Sequence, residues 1–236
     1  MILFHRDTNF STTFDELVST QDSASFLKIA RKLEQYVYST NNPFLAFRLA
    51  LELDDRGYKT SRLEQFVIKS RDNNYILRFA RFIKRANIQR LQDAIIKGGS
   101  VLHIAKFGCW VRGSNKALIE DIIVEHEHPK SAYLLIKYIK SANINRLKGI
   151  ILRSKRPRYL YALALRLKNK EELDYIQEQI IGSSSNLYVR LFAKHIPSAN
   201  IEKLEERIIA TRDIDEMRRF ARSVKSERIE KLCLLF

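Results

Sequence analysis

Apolar residues return along this chain at a fixed period. Each period contains a leucine or isoleucine anchor that is followed four and five positions later by further apolar side chains, as in Leu91 with Ile95 and Ile96. Apolar residues about four positions apart lie on one face of a helix. The anchors recur every 27 to 30 residues, and they are Leu33, Leu63, Leu91, Leu118, Leu147, Ile176, Leu204 and Leu232. A period of this length indicates stacked helical repeats.

A second sequence motif lies between successive anchors and centres on a small residue with apolar and aromatic neighbours. A small side chain lets a neighbouring helix approach closely, so these residues are predicted to be packing positions, with Ile136 as the exception. They are Ala50, Ala80, Ala105, Ile136, Ala164, Ala193 and Ala221. Each repeat is therefore predicted to contain two short amphipathic helices, helix A around the small residue and helix B around the anchor.

These patterns predict an all-α fold, an α-solenoid of about seven two-helix repeats whose members contact only their neighbours. Glycine and proline, which interrupt helices, number only 7 and 4. Residues 1–30 lie outside the clear pattern and are predicted to form an N-terminal cap. Residues 31–236 are predicted to form a single helical-repeat domain.

Polar residues at the start of helix B are predicted to have structural roles. The link before this helix repeats as Ala-Asn-Ile around Asn87, Asn143 and Asn200, and an asparagine N-cap accepts a free N–H of the first turn, which stabilises a helix by about 1 kcal/mol. The positive end of the helix dipole favours carboxylates in the same turn. This preference explains the acidic residues one or two positions after the anchor, which are Glu64, Asp93, Glu120, Glu178, Glu205 and Glu206.

The net charge of +15 is concentrated in the middle of the chain, where residues 51–200 contain 28 Lys and Arg against 14 Asp and Glu. Such an excess favours a polyanionic partner. One predicted row of cations follows the small residue of helix A, at Arg81, Lys106, Lys137, Lys194 and Arg222. A second row precedes the anchor of helix B, at Arg62, Arg90, Arg146, Lys203 and Lys231.

Cations at fixed separation suit a regularly charged polymer, because each neutralised phosphate releases counterions. The alternative is a solvated face whose Lys and Arg stems cover apolar surface. A second basic patch is predicted at Arg153, Lys155, Arg156 and Arg158. Tyr159 and Tyr161 follow this patch, and we expect them to be core residues because other repeats have tyrosines in the corresponding helix-A motif.

Catalytic and metal-binding patterns are not found. His126 and His128 form the one cluster that resembles a metal site, but residues two apart do not share a helix face, and no further ligand follows at a suitable spacing. No Gly-rich phosphate loop or nucleophile motif occurs. We therefore predict no enzyme activity, no metal and no cofactor. The single Trp110, between Gly108 and Gly113, is expected to be buried, and the alternative is an exposed binding hot spot, because Trp is enriched at such sites.

No segment has the roughly 20 apolar residues that span a bilayer, and the first residues are charged too early for a signal peptide. Only Cys109 and Cys233 occur, so no disulfide framework is implied. These features predict a cytoplasmic protein in a reducing environment, without a membrane partner.

The combination of Phe192-Ala193-Lys194, Ala199-Asn200-Ile201 and Ile208-Ile209 resembles the HEAT-like helical-repeat arrays of large phage, other viral and bacterial proteins. The resemblance covers roughly residues 31–236, the span of the period, and it implies an interaction protein. HEAT-like DNA glycosylases for alkylated bases share the architecture. They use clustered aromatic residues around an acid, a pattern that this chain lacks.

The sequence thus favours a non-enzymatic helical-repeat scaffold whose basic central surface binds a polyanion, with DNA or RNA as the expected partner through phosphate contacts. The first alternative is a protein scaffold that docks an acidic partner or associates with itself through its terminal repeats. Glycosylase activity is the alternative that the residues favour least.

Overall fold

The computed structural model describes residues 8–235, and all regular secondary structure in that range is helical, which confirms the all-α class. The sixteen described helices are α1 (Thr8–Ser19), α2 (Ser23–Thr40), α3 (Pro43–Asp55), α4 (Ser61–Ser70), α5 (Asn73–Phe82), α6 (Ile88–Gly98), α7 (Val101–Trp110), α8 (Lys116–Glu125), α9 (Pro129–Tyr138), α10 (Ile144–Ser154), α11 (Pro157–Ala164), α12 (Lys170–Ile181), α13 (Asn186–His195), α14 (Ile201–Ile209), α15 (Ile214–Val224) and α16 (Glu227–Cys233). None of the described helices is both long enough and apolar enough to cross a membrane.

The chain divides into two compact units, of which the first ends at Ile119 and the second begins at Glu120, within α8. The predicted end of an N-terminal cap at residue 30 falls inside α2, a continuous helix from Ser23 to Thr40. Separation into a cap and one repeat domain remains a prediction.

Helices A and B alternate along the chain, with the A helices odd-numbered from α3 and the B helices even-numbered from α2. In the first unit, α3 packs against α5 and α5 against α7, while α4 and α6 each contact the A helices before and after them. In the second unit, α9, α11, α13 and α15 pack in the same successive way. These neighbouring helices contribute buried apolar side chains such as Leu63, Phe79 and Leu91 in the first unit and Leu147, Leu160 and Phe192 in the second.

The repeat register differs from the predicted one in α7 and α8. The predicted anchor Leu118 is 38% exposed, whereas Ile119 is fully buried. In helix A, Gly108 rather than Ala105 occupies the position of Ala80. Gly108 follows Ala80 by 28 residues, the same spacing by which Ile119 follows the anchor Leu91. The predicted register was wrong here because Ala105, one helical turn before Gly108, is also small and buried.

Gly108 meets Ile119 closely in the corrected register. A Cβ atom built on Gly108 would lie 3.0 Å from Cγ2 of Ile119, a contact tighter than ordinary van der Waals packing allows. The glycine therefore serves the close approach that was predicted for the small residue of helix A. Gly113, in the turn after α7, has a positive φ of 83° that glycine adopts without strain.

A buried polar side chain directly after the anchor links successive B helices within each unit. It accepts a hydrogen bond from the backbone N–H of the residue 23 positions later, the N-cap of the next B helix. The bonds run from Asn87 to Glu64 at 2.8 Å, from Asn115 to Gln92 at 2.7 Å, from Asn143 to Glu120 at 2.9 Å and from Asn200 to Gln177 at 2.8 Å. In α14, Glu205 instead accepts from the hydroxyl of Ser226.

These links revise the predicted role of the acids. Glu64 is 3% exposed and Glu120 and Glu205 are each 9% exposed, so they do more than complement the dipole of their own helix. Glutamine performs the same role at Gln92 and Gln177, where an uncharged amide oxygen is the acceptor.

The predicted N-cap positions of Asn87, Asn143 and Asn200 are confirmed. The side-chain oxygen of Asn87 accepts from the N–H of Arg90 at 3.1 Å, and that of Asn200 accepts from the N–H of Lys203 at 3.2 Å. Asn143 precedes α10 with the same extended backbone but makes no capping bond through its side chain.

Candidate nucleic-acid interface

Four of the five cations of the predicted B-helix row are paired with carboxylates, and Arg62 is the exception, with no carboxylate within 4.0 Å among the described residues. Arg146 lies 2.6 Å from an oxygen of Asp121, and Lys203 lies 2.6 Å from an oxygen of Glu178. Hydrogen bonding to these carboxylates raises the pKa of Arg146 and of Lys203. Arg90 and Lys231 have looser pairs at 3.7 Å, with Glu64 and Glu227. An anion that approaches any of these cations also meets a negative charge.

Cations of the A helices have a different environment. Within residues 8–235, no carboxylate lies within 4.0 Å of the charged groups of the A-helix row, which comprises Arg81, Lys106, Lys137, Lys194 and Arg222. All except the half-buried Lys106 are exposed. Three of them, Arg81, Lys106 and Lys137, lie instead against aromatic rings.

A cation–aromatic cluster joins α5 and α7 in the first unit. The guanidinium carbon of Arg81 lies 5.0 Å from the ring centroid of Phe82 and 5.9 Å from that of Trp110. The Nζ atom of Lys106 lies 5.9 Å from the Trp110 ring. Such distances permit an attraction of about 0.5–1 kcal/mol at exposed sites, which orients the side chains without neutralising the cations.

Exposure of Trp110 contradicts the expectation that it is buried. Trp110 is the last residue of α7, and it is 39% exposed. Val111 follows it and is buried in its place, because the 28-residue register that fixes Gly108 also turns Trp110 outwards. Lys106 accordingly lies one helical turn before the slot of Arg81, and the two cations meet at Trp110 rather than occupying equivalent positions.

A second cluster joins α9 and α11 in the second unit. Tyr133 and Tyr159 stack with ring centroids 4.7 Å apart, and both are buried, as predicted for Tyr159. Arg158 donates from Nε to the hydroxyl oxygen of Tyr133 at 3.0 Å, a bond that raises the pKa of Arg158. The cations of Lys137 and Arg156 lie 5.8 Å from Tyr133 and 5.6 Å from Tyr159, respectively.

This second cluster brings together cations that the sequence assigned to two separate sets. Lys137 belongs to the predicted A-helix row, whereas Arg156 and Arg158 belong to the predicted patch at residues 153–158. Interaction with the hydroxyl of the exposed Tyr138, and then with that of Tyr133, raises the pKa of Lys137. The ammonium group of Lys137 therefore stays charged at neutral pH.

The other cations predicted to bind phosphate lie apart from these clusters. Arg153, near the end of α10, forms an ion pair with Glu127. Lys155 is exposed and ends the same helix with a left-handed backbone, at a φ of 52°. Lys194 is exposed on α13 beside His195, whose Nδ1 lies 2.6 Å from the hydroxyl oxygen of Tyr161.

Groups that could support catalysis or metal binding have structural surroundings. His128 is the N-cap of α9, and His126 lies 2.9 Å from the carbonyl oxygen of Ile122. No group of three or more potential metal-ligating side chains occurs among the residues that the structure describes. Burial raises the pKa of the Cys109 thiol to about 12, so the reactive thiolate is scarce at neutral pH.

Comparison with protein-family models, with curated proteins and with solved structures gives no match. The two clusters, the A-helix row and the paired B-helix cations are therefore the basis on which a function is inferred.

Proposed function

We propose that this protein is a non-enzymatic scaffold that binds nucleic acid, DNA or RNA, through phosphate contacts along its A helices. We further infer that the helix pairs within each unit stack in the HEAT-like manner, as an α-solenoid. In the second unit Lys194 and Arg222 lie 28 residues apart on α13 and α15, so stacked pairs would place a cation on each of these successive A helices, which suits a polymer with one charge per nucleotide.

The observation that carries this proposal is the contrast between the A-helix row and the B-helix row of cations. Four of the five cations of the B-helix row, all except Arg62, lie within 4 Å of a carboxylate, whereas the described surroundings of the A-helix row contain no carboxylate at that distance. Opposite charges about 4 Å apart cancel most of each other's field at longer range, and salt screens the remainder beyond about 10 Å. Within each unit, a phosphate is thus attracted most strongly to the cations of the A-helix row.

The alternative of a merely solvated face predicts no such contrast. Lys and Arg stems that cover apolar surface would serve equally well when their charged ends are paired. Cations held against aromatic rings, as Arg81 and Lys137 are, keep their charge available and their positions defined. Both properties favour a binding surface.

The salt dependence of binding tests the proposal. We expect the full chain to bind labelled DNA and RNA oligonucleotides with a dissociation constant of about 10⁻⁴ to 10⁻⁶ M near physiological salt. Fluorescence anisotropy should show log K falling linearly with log salt, by about 0.7 for each phosphate contact on a single strand and about 0.9 on a duplex. Absence of binding at 0.1 M salt, or affinity that ignores salt, would refute it.

A further inference from the structure

Two exposed aromatic rings occupy equivalent positions on neighbouring helices of the first unit. Phe82 is the last residue of α5 and Trp110 is the last residue of α7. Phe82 is 49% exposed and Trp110 is 39% exposed. The two helices pack against each other, and packed helices have axes about 8–10 Å apart. Core packing does not explain why Phe82 and Trp110 are both aromatic, because each is partly exposed.

Positive charge lies at the same place. Arg81 is within 6 Å of both rings, and Lys106 is within 6 Å of Trp110. In the described part of the chain neither cation has a carboxylate within 4.0 Å. The cluster thus offers unneutralised cations for phosphates together with partly exposed aromatic rings for flat apolar groups. A nucleotide whose base is not already stacked carries both complementary features.

We propose that the cluster of Arg81, Phe82, Lys106 and Trp110 binds single-stranded nucleic acid, with phosphates on the two cations and unpaired bases stacked on the two rings. This inference rests on the proposed phosphate-binding function and adds base recognition to it. Every base has an aromatic face, so stacking of this kind is tolerant of sequence. Duplex bases are stacked on one another, and a duplex would leave Phe82 and Trp110 without a partner.

A protein partner is the competing explanation, because Trp and Arg are also enriched at protein interfaces. Charge favours the nucleic acid. The central segment, residues 51–200, has twice as many cations as acids, and the four-residue cluster contains no acid that could pair with a cation of a protein partner.

The test uses the full chain and three probes of equal length, each labelled at the 5′ end: a mixed-sequence single strand, a hairpin duplex and an abasic single strand. The abasic strand keeps the phosphates and removes the bases. Anisotropy measures the affinity of each probe. Emission from Trp110, the only tryptophan, reports stacking directly, since a base in contact with the indole quenches it.

Phe82→Leu and Trp110→Leu remove the rings but keep apolar volume at half-exposed positions, and circular dichroism checks that both variants remain folded. We expect each to lose affinity for the mixed-sequence strand by about tenfold, the order of effect seen when a base-stacking ring is removed. The salt slope and the affinity for the abasic strand should not change. Tyr175→Leu, at a 53% exposed tyrosine of α12, is the matched control and should bind like the wild type.

The outcomes separate the two proposals. Tighter binding of the mixed-sequence strand than of the abasic strand, with quenching of Trp110, supports the stacking site. Equal binding of the two strands, or full affinity in both Leu variants, overturns the stacking site and leaves phosphate binding intact. If the wild type binds none of the three probes, the proposed function fails and the stacking site with it.

Discussion

Replacing Arg81, Lys106, Lys137 and Lys194 together by Gln should weaken nucleic-acid binding by at least about a hundredfold at 0.1 M salt. Removing one phosphate-binding cation lowers affinity by about five- to tenfold at this concentration, because each such cation contributes about 0.7 to 0.9 to the log–log salt slope. The slope itself should become shallower by about one for every phosphate-binding cation that is removed. Salt-dependent anisotropy measures both quantities.

The matched control removes the same number of charges from the paired layer. Arg90, Arg146, Lys203 and Lys231 replaced by Gln also lower the net charge of +15 by four, but these cations already have carboxylate partners. Their removal frees those carboxylates, and we expect less than about a tenfold drop in affinity, with a nearly unchanged slope. Equal effects of the two variants would show that net charge alone governs binding.

Glu64→Leu should destabilise the first unit by about 1–3 kcal/mol, the usual effect of leaving a buried hydrogen-bonding group without its partner. Glu64 is 3% exposed and accepts from the N–H of Asn87 at 2.8 Å, so leucine would leave that N–H unsatisfied. Glu64→Gln keeps the acceptor and should cost less than about 1 kcal/mol. Urea unfolding measures the global effect.

Hydrogen exchange at the Asn87 amide gives a local readout of the same link. In Glu64→Leu the exchange rate of this amide should rise, whereas in Glu64→Gln it should stay close to that of the wild type. Fast exchange in both variants would mean that the carboxylate charge, and not the acceptor oxygen, holds the two helices together. The native Gln92, which accepts from the N–H of Asn115 at 2.7 Å, argues for the oxygen.

Local patterns in the sequence predicted much of the fold because helix periodicity and capping are local properties. The buried residues of α4, α5 and α10 include the predicted positions Leu63, Ala80 and Leu147. Register failed in α7 and α8, where Ala105 and Leu118 satisfied the local pattern as well as Gly108 and Ile119 did. Only packing between helices distinguishes these pairs.

The candidate site was less accessible to sequence reasoning because its decisive features join distant residues. Pairing of Arg146 with Asp121 spans 25 positions, and so does the bond from Arg158 to Tyr133. The two basic rows therefore looked alike in sequence, although four of the five cations in the B-helix row are paired with carboxylates and none of the A-helix row is so paired among the described residues. A strict 28-residue spacing from Phe82 was the available signal that Trp110 faces outwards.

Lysine footprinting of the wild-type protein tests most directly the claim that the A-helix cations contact the nucleic acid. The protein is acetylated with and without a saturating single strand, and mass spectrometry measures the extent of acetylation at each lysine. The two extents are compared for the same lysine, so that differences in intrinsic reactivity between lysines, such as that due to the raised pKa of Lys203, cancel. We expect protection of Lys106, Lys137 and Lys194, with little change at Lys148, Lys203 and Lys231, which are paired with carboxylates. Equal protection of both sets, or protection confined to the paired lysines, would contradict the assignment of the binding face.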